Sequence, residues 1–478
     1  MINRYRVIAI SFFIYLLPQY ILAQDNYWSL QKCIEHAIDN NIRIKQSKLD
    51  EESAVINKAI AFGNFLPGIN MTGNHSWTIA DQPNQVTNSI ESQTIQSSSF
   101  GVGVNVDIYN GLQNQNLLVK SRLAHLASQY KLQKMKEDIA LNVINSYLQI
   151  IFNKELVRTN KVQLEYDESQ SKRTEELVDA GVVPAGDLLE ANATVAVATQ
   201  RLIVSQNELV MARLNLAQLL QINDYEAFDV IDSDYEVGES AVLIYTPEEI
   251  KSRAFEVLTI VKNAEAEVDI AERNVKISRG AYLPRLSAFY NLGTNINYQD
   301  RLVGIESTGT SSTIGYVEGT NQRVLQQNTM GVFGGPDSFF SQFDKNKTSS
   351  FGLSLAVPVF QGFSVRNNVK LSKLRLKQIE NEREVVILNL EQLLFKAYTD
   401  TQSALKTYEA SVVSLKARTQ SLEYAKERYA VGLINVFELN QNQNLLVTAQ
   451  SNLLKSKYDY IFKTKILEYY FGIPLFKN

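Results

Sequence analysis

The chain is poor in the residues that build chemical sites. Among its 478 residues it has one cysteine, Cys33, so neither an internal disulfide framework nor a thiolate zinc site can form. Its three histidines, His36, His75 and His125, are widely separated. No phosphate loop, nucleophile elbow, His-Glu-x-x-His or Cys-x-x-Cys occurs, and Gly101-x-Gly103 lacks the third glycine of a dinucleotide fingerprint. These absences argue against an enzyme and against a bound cofactor or metal. With 21% charged residues and a net charge of −4, the chain offers no basic surface for nucleic acid. It also lacks any apolar run of the roughly 18 residues that a membrane-crossing helix needs.

What is present begins at the N-terminus. Arg4 and Arg6 precede an apolar stretch from Val7 to Leu17, then Pro18, then Ile-Leu-Ala ending at Ala23. A basic start, a short apolar core and a small residue before the cut predict a secretory signal peptide over 1–23. Residue 24 is glutamine, not cysteine, so no lipid anchor is expected.

The mature chain reads as a duplication. An offset of 251 pairs Phe100 with Phe351, Gly111 with Gly362, Gly181 with Gly432 and Ile222 with Ile473. Upstream, an offset of 217 pairs Leu66-Pro67 with Leu283-Pro284 and Ala37 with Ala254. The 34-residue difference places an insertion within 285–349, a stretch rich in Gly, Ser and Thr that reads as a long loop. Two repeats follow, 24–222 and 247–478, joined by a 223–246 linker with seven acids and no Lys or Arg. That linker is expected to face solvent. Each repeat reads helix, strand, loop, strand, very long helix, tight turn, helix. Residues 112–180 and 363–431 contain no Gly or Pro, and their apolar residues recur every three or four positions, as at Ile139, Val143, Tyr147 and Ile150. The closing helices are expected at about 187–222 and 436–471.

The strands, expected near 65–78, 98–109, 283–297 and 349–360, alternate with period two. Phe100, Val102, Val104, Val106 and Ile108 oppose Gly101, Gly103, Asn105 and Asp107. Phe351, Leu353, Leu355, Val357 and Val359 oppose Gly352, Ser354, Ala356 and Pro358, where the proline marks either a bulge or the strand's end. Nothing left over in the sequence would cover such faces, and segments of about ten residues with one apolar face suit a transmembrane barrel wall. Small barrels have about eight strands. Four cannot close, and open edges are not tolerated in lipid, so the barrel must be shared between copies. An envelope-tethered structural or adhesive coiled-coil protein is the alternative that long helices alone would allow.

The duplicated hairpin-plus-long-helix plan, the Leu-Pro beside the first strand of each half and the RYAVGL at 428–433 resemble the TolC-type outer membrane efflux family over the whole mature chain. The resemblance implies a mixed α/β membrane protein, mostly long α-helices, in which three copies share a 12-stranded β-barrel. That barrel continues into a helical tunnel across the periplasm. It implies a passive exit duct in the outer membrane for a tripartite efflux or type I secretion system. Its partners would be a homotrimer's other copies, a periplasmic adaptor, an inner-membrane transporter and outer membrane lipid.

The resemblance also implies roles for the two tight turns. Gly181, Val182 and Leu188 in the first half, and Gly432, Leu433 and Leu439 in the second, match the adaptor-docking tips; simple helix–helix turns capped by glycine are the plainer reading. The family's pinch tyrosine matches Tyr429, the aspartate that holds it matches Asp187, and an acid matches Glu438. The family's arginine falls on Ile434 and a second acid on Gln441, so fewer ionic links are expected. Glu438 has a second reading: Asn435-x-x-Glu438 has the spacing of a helix capping box.

Overall fold

The computed structural model describes residues 27–83, 89–225, 227–232 and 241–475. The expected signal peptide and much of the acidic linker lie outside the described residues. The first half runs β1 (Tyr27–Trp28), α1 (Leu30–Asn40), α2 (Ile42–Gly63), β2 (Gly68–Pro83), β3 (Ile90–Asn110), α3 (Gln113–Asp179) and α4 (Ala185–Leu220). After β4 (Asp229–Val230) and a short 3-10 turn come α5 (Pro247–Val257), α6 (Thr259–Gly280), β5 (Arg285–Asn297), β6 (Arg301–Tyr316), β7 (Arg323–Gly334), α7 (Phe339–Lys345), β8 (Thr348–Ala356), α8 (Ser364–Ala430) and α9 (Val436–Tyr470). The chain divides into two compact units. Of the described residues, a helical unit takes in 27–54, Ala124–Val268 and 378–475; a sheet unit takes in Val55–Leu123 and Asp269–Lys377.

The leading helix of each half is interrupted at one residue. Asn41 and Leu258, related by the 217 offset, are both extended (ψ 129° and 132°), and each donates its N–H to a carbonyl of the helix it ends. The first helices start on side-chain caps: Ser29 accepts from the Lys32 N–H, and Thr246 forms a reciprocal capping box with Glu249. In the helical unit, Ile34 and Ala37 of α1 bury against Ile139, Val143, Tyr147 and Ile150 of α3 and Leu216 and Leu220 of α4. Those α3 residues are the stripe seen in the sequence. A second core gathers Ile250 and Ala254 of α5 with Leu390 and Leu394 of α8 and Leu467 of α9.

The linker departs from its expected solvated state at 228–230, while 223–225, 227, 231 and 232 are exposed as expected. Asp229–Val230 pairs in parallel with Tyr27–Trp28, Phe228 and Val230 are buried in the first core, and Asp229 is held by Lys154 and Arg213, each at 2.9 Å. Burial of the apolar neighbours pulled the carboxylate in, and two cations neutralise it.

In the sheet unit, four antiparallel strands lie in the order β2-β3-β5-β8. Three expectations need correcting. β3 begins at Ile90, well before residue 98, because it pairs with β2 along its full length. β8 ends at Ala356, so Pro358 lies past the strand, and Ile108 is the extra residue of a bulge between Asp107 and Tyr109. The 285–349 insertion is not a loop: beyond β5 it folds into the separate β6–β7 hairpin and the helix α7. Thr, Ile, Val and Tyr supply strand propensity among its Gly and Ser.

Candidate functional site: an open sheet wall and two helical turns

Register makes the wall two-faced. One row reads Ile69–Val104–Tyr290–Phe351 across all four strands, and the next reads Met71–Val102–Leu292. The opposite face reads Asn70–Gly103–Asn291–Ser350 and Thr72–Gly101–Gly293–Thr348. In a single chain most of the apolar face lies open; Met71 is 79% and Phe351 83% exposed. A folded protein that leaves this much contiguous apolar surface uncovered in water would aggregate, so the face has an apolar solvent. The bare edges say the same of copies. Among the described residues β2 pairs only with β3 and β8 only with β5, leaving two free ladders.

At the helix-bearing end of the sheet, Arg285 grips Asp107 with bonds of 2.8, 3.0 and 3.1 Å. Tyr282, Phe360 and Phe363 cluster there, while His75, Trp77 and Tyr298 gather toward the other end. Aromatic groups at both ends of an apolar band are the usual girdles of a membrane wall.

The strand-to-helix junctions are built on close backbone contact. Gly111 and Gly362 both have left-handed φ, 57° and 56°. A Cβ on Gly111 would stand 2.1 Å from the Gly280 carbonyl oxygen, and one on Gly280 would stand 2.4 Å from that of Gly111. Only glycine allows this approach.

The two turns of the helical unit close alike. Gly181 (φ 72°) donates to Val178 O and Val182 to Leu177 O; Gly432 (φ 75°) donates to Tyr429 O and Leu433 to Arg428 O. Both are double-bonded left-handed helix ends. Their surroundings differ. Val182 and Leu433 are exposed at the two tips, and Leu188 is half-buried. Leu439, by contrast, is buried with Leu422, Ala425, Ile434 and Leu446, and Leu415 and Tyr429 pack against them.

The candidate gate residues are not brought together within the chain. Among the described residues, Tyr429 makes no hydrogen bond with Asp187, whose place is the first turn of α4. Tyr429 instead lines a small cavity with Asp167, Thr174 and Leu439. The Glu438 N–H is capped by the Asn435 side chain at 2.9 Å, the Asn435 half of the capping box, while its carboxylate turns to the Arg428 guanidinium at 3.5 Å. Arg428 went unnoticed in the sequence because the family's arginine falls on Ile434. The apolar cluster itself was signalled by Leu415, Leu422, Ala425 and Tyr429 at three-, four- and seven-residue steps. Asp167 is buried on α3, and burial raises its carboxyl above the ordinary value of 3.8 against the lowering effects of the Gln163 hydrogen bond and the Arg201 charge. Among the described residues no cluster of His, Cys, Asp or Glu could hold a metal ion, and no helix is long and apolar enough to cross a membrane.

A wall with one mostly open apolar face, two unpaired edges and long helices springing from one end is one subunit's share of a membrane barrel. The comparisons specify it. The model of the outer membrane efflux protein family matches residues 33–220 and 259–464, and the chain belongs to that family. It is 20% identical to the outer membrane efflux protein BepC of Brucella suis over 91% of this chain and 83% of that protein. It is 22% identical to the outer membrane protein TolC of Vibrio cholerae over 83% of this chain and 80% of that protein. The crystal structure of the Campylobacter jejuni CmeC outer membrane channel superposes with a TM-score of 0.74 at 17% identity, covering 94% of this chain and 86% of that one. The protein is an outer membrane efflux channel component; its sheet is the lipid-facing part.

Proposed function

We propose that three copies close a 12-stranded barrel and form a passive exit duct. A periplasmic adaptor engages the turns around Gly181 and Gly432, and an inner-membrane transporter supplies the energy. Three copies of a four-stranded wall give the strand number. One observation carries the closure. Gly111 and Gly280 meet across the internal β3–β5 seam, and the duplication relates them to Gly362 and Gly63, where a Cβ would meet nothing within 4 Å. The second glycine pair is complete only if Gly362 of one copy meets Gly63 of the next. The same duplication transfers the internal register to the seam between copies. Val102↔Leu292 becomes Leu353 opposite His75 of the neighbouring copy, and Phe100↔Thr294 becomes Phe351 opposite its Trp77.

The test uses Leu353→Cys with His75→Cys in the full chain in its membrane. Paired strand residues lie within disulfide reach, while in one chain these two stand on opposite edges of the sheet. Oxidation is expected to give covalent dimers and trimers and nothing larger. Absence of cross-links, or a ladder passing three, overturns the reading.

Of the gate candidates, Tyr429 and Glu438 act inside the second-half turn, through the Ile434 cluster and Arg428. Asp187 serves the N-terminus of α4, where an acid is favoured. The exposed tip residues Val182 and Leu433, with Leu188 and Leu439 behind them, form the adaptor-facing surface.

A further inference from the structure

The helix α7 has no counterpart in the first half and is locked to the wall by side chains. β8 stops at Thr348, opposite Gly293, so β5 runs on from Thr294 to Asn297 without a strand on that side. α7 takes the strand's place. Gln342 accepts from the Asn297 N–H and donates to its carbonyl, both at 2.9 Å; Asn346 donates to Asn295 O at 2.6 Å, and the Thr294 hydroxyl donates to Phe343 O at 3.1 Å. Every one of these bonds satisfies a backbone group or fixes the helix, as an edge in lipid requires.

The side of the sheet on which α7 lies is set by its rings. Phe339 and Phe343 pack on Phe100, at 5.9 and 6.2 Å between centroids, and Phe100 belongs to the apolar face. On the same face Ser98 and Ile296 are buried. The helix therefore lies on the outside of the wall. Its height follows from counting: from Leu286 to Ile296 the strand has the length that crosses the hydrocarbon at a tilt, about 9–11 residues. α7 thus stands at the far rim, level with His75, Trp77 and Tyr298, which pack edge to face. Phe340 projects from it, 81% exposed, while Arg301 and Lys345 pair with Asp337, and Lys347 pairs with Asp344.

We propose that α7 is an interfacial lipid anchor: it lies on the lipid-facing side of the wall at its outer rim and seats Phe340 among the acyl chains beneath the headgroups of the outer leaflet. Aromatic rings with an apolar body and a polar surround are favoured at that depth. The assignment rests on the wall reading of the sheet, and the two can fail separately.

Phe340→Cys is labelled with a nitroxide in the full-length protein in phosphatidylcholine vesicles. Cys33 needs no replacement, since it is buried and its thiol is pushed up to about 12. Leu353→Cys on the apolar face and Ile305→Cys on the β6–β7 hairpin serve as lipid and water references. At 340 the collision ratio of oxygen to a water-soluble nickel chelate is expected to lie on the lipid side, inverted relative to 305 and shallower than 353. A water-like ratio at 340 with a lipid ratio at 353 overturns the anchor alone. Low collision with both reagents at 340 also overturns it and places the ring against a second copy. A water-like ratio at 353 overturns the wall reading itself.

Discussion

Replacing Ile434 by alanine tests which force holds the second-half turn. Ile434 is 8% exposed and packs with Leu422, Ala425, Leu439 and Leu446. Truncating a buried isoleucine costs about 2–5 kcal/mol. The low end applies because the cluster is small and the turn can collapse onto the gap, so about 2 kcal/mol is expected, equivalent to roughly 30-fold more local opening. The competing hold is Arg428–Glu438, 3.5 Å apart with side chains 54% and 45% exposed. Such a pair is worth less than about 1 kcal/mol, or under about fivefold. Hydrogen exchange on the amides of 422–446 reads both variants. Ile434→Ala should accelerate exchange there and leave 171–195 unchanged; Arg428→Gln should have a much smaller effect. Single-channel conductance should rise with Ile434→Ala and stay level when Tyr429→Phe is combined with Asp187→Ala. Refutation would be an Arg428→Gln effect equal to or larger than that of Ile434→Ala.

Three further outcomes are expected. Asp167→Asn should raise thermal stability at pH 7. Its carboxyl is raised in the folded state, so the folded form holds more protons than the unfolded one just above pH 3.8, and stability falls as pH rises through the folded value; the advantage of the variant should shrink in melts taken toward pH 4. Cys33, buried with its thiol raised mainly by desolvation, should resist maleimide at pH 8 in the folded protein and react fully on unfolding. Gly362→Ala should weaken or abolish the Leu353→Cys/His75→Cys cross-link, because in the proposed closure a Cβ there would enter the seam with the next copy. Gly111→Ala, with the Gly280 carbonyl 2.1 Å away, should prevent the wall itself from folding.

The long helices and the four wall strands could be read from the sequence because their signals are periodic and repeated. Period two in SFGVGVNVDIYNG and SFGLSLAVPVFQG, and the absence of Gly and Pro from 112–180 and 363–431, leave few alternatives. Three features escaped for physical reasons. The β6–β7 hairpin is made of Ser, Thr and Gly with scattered apolar residues, so neither face stands out, and a hairpin that pairs only with itself has no core to imprint a pattern. With seven residues, α7 is too short for helical periodicity and is held by Gln342 and Asn346, whose roles depend on where β8 happens to stop. At the turns, the resemblance directed attention to single positions, whereas the structure uses a cluster, and Tyr429 is part of it without reaching Asp187.

The two halves share a plan but have taken different means of holding their helix pairs. On α3, Asn153, Asn160, Asp167 and Thr174 are buried at intervals of seven; on α4, Ala191, Ala198, Ser205 and Ala212 are buried at the same interval. Asn153 reaches across to Glu208 O at 3.1 Å. A heptad seam of polar groups against small residues brings helices close and fixes their register at some cost in stability. The duplication carries the four α3 positions to Ala404, Ser411, Arg418 and Ala425, and there no such ladder exists. The second pair compensates with the Ile434 cluster at its tip, whose first-half equivalents at Leu422 and Ala425 are Ser171 and Thr174. Register is therefore set along the shaft of the first pair and closure at the end of the second. A perturbation that loosens the second turn can leave the first pair's alignment intact, which is the condition for opening one turn without unfolding the other.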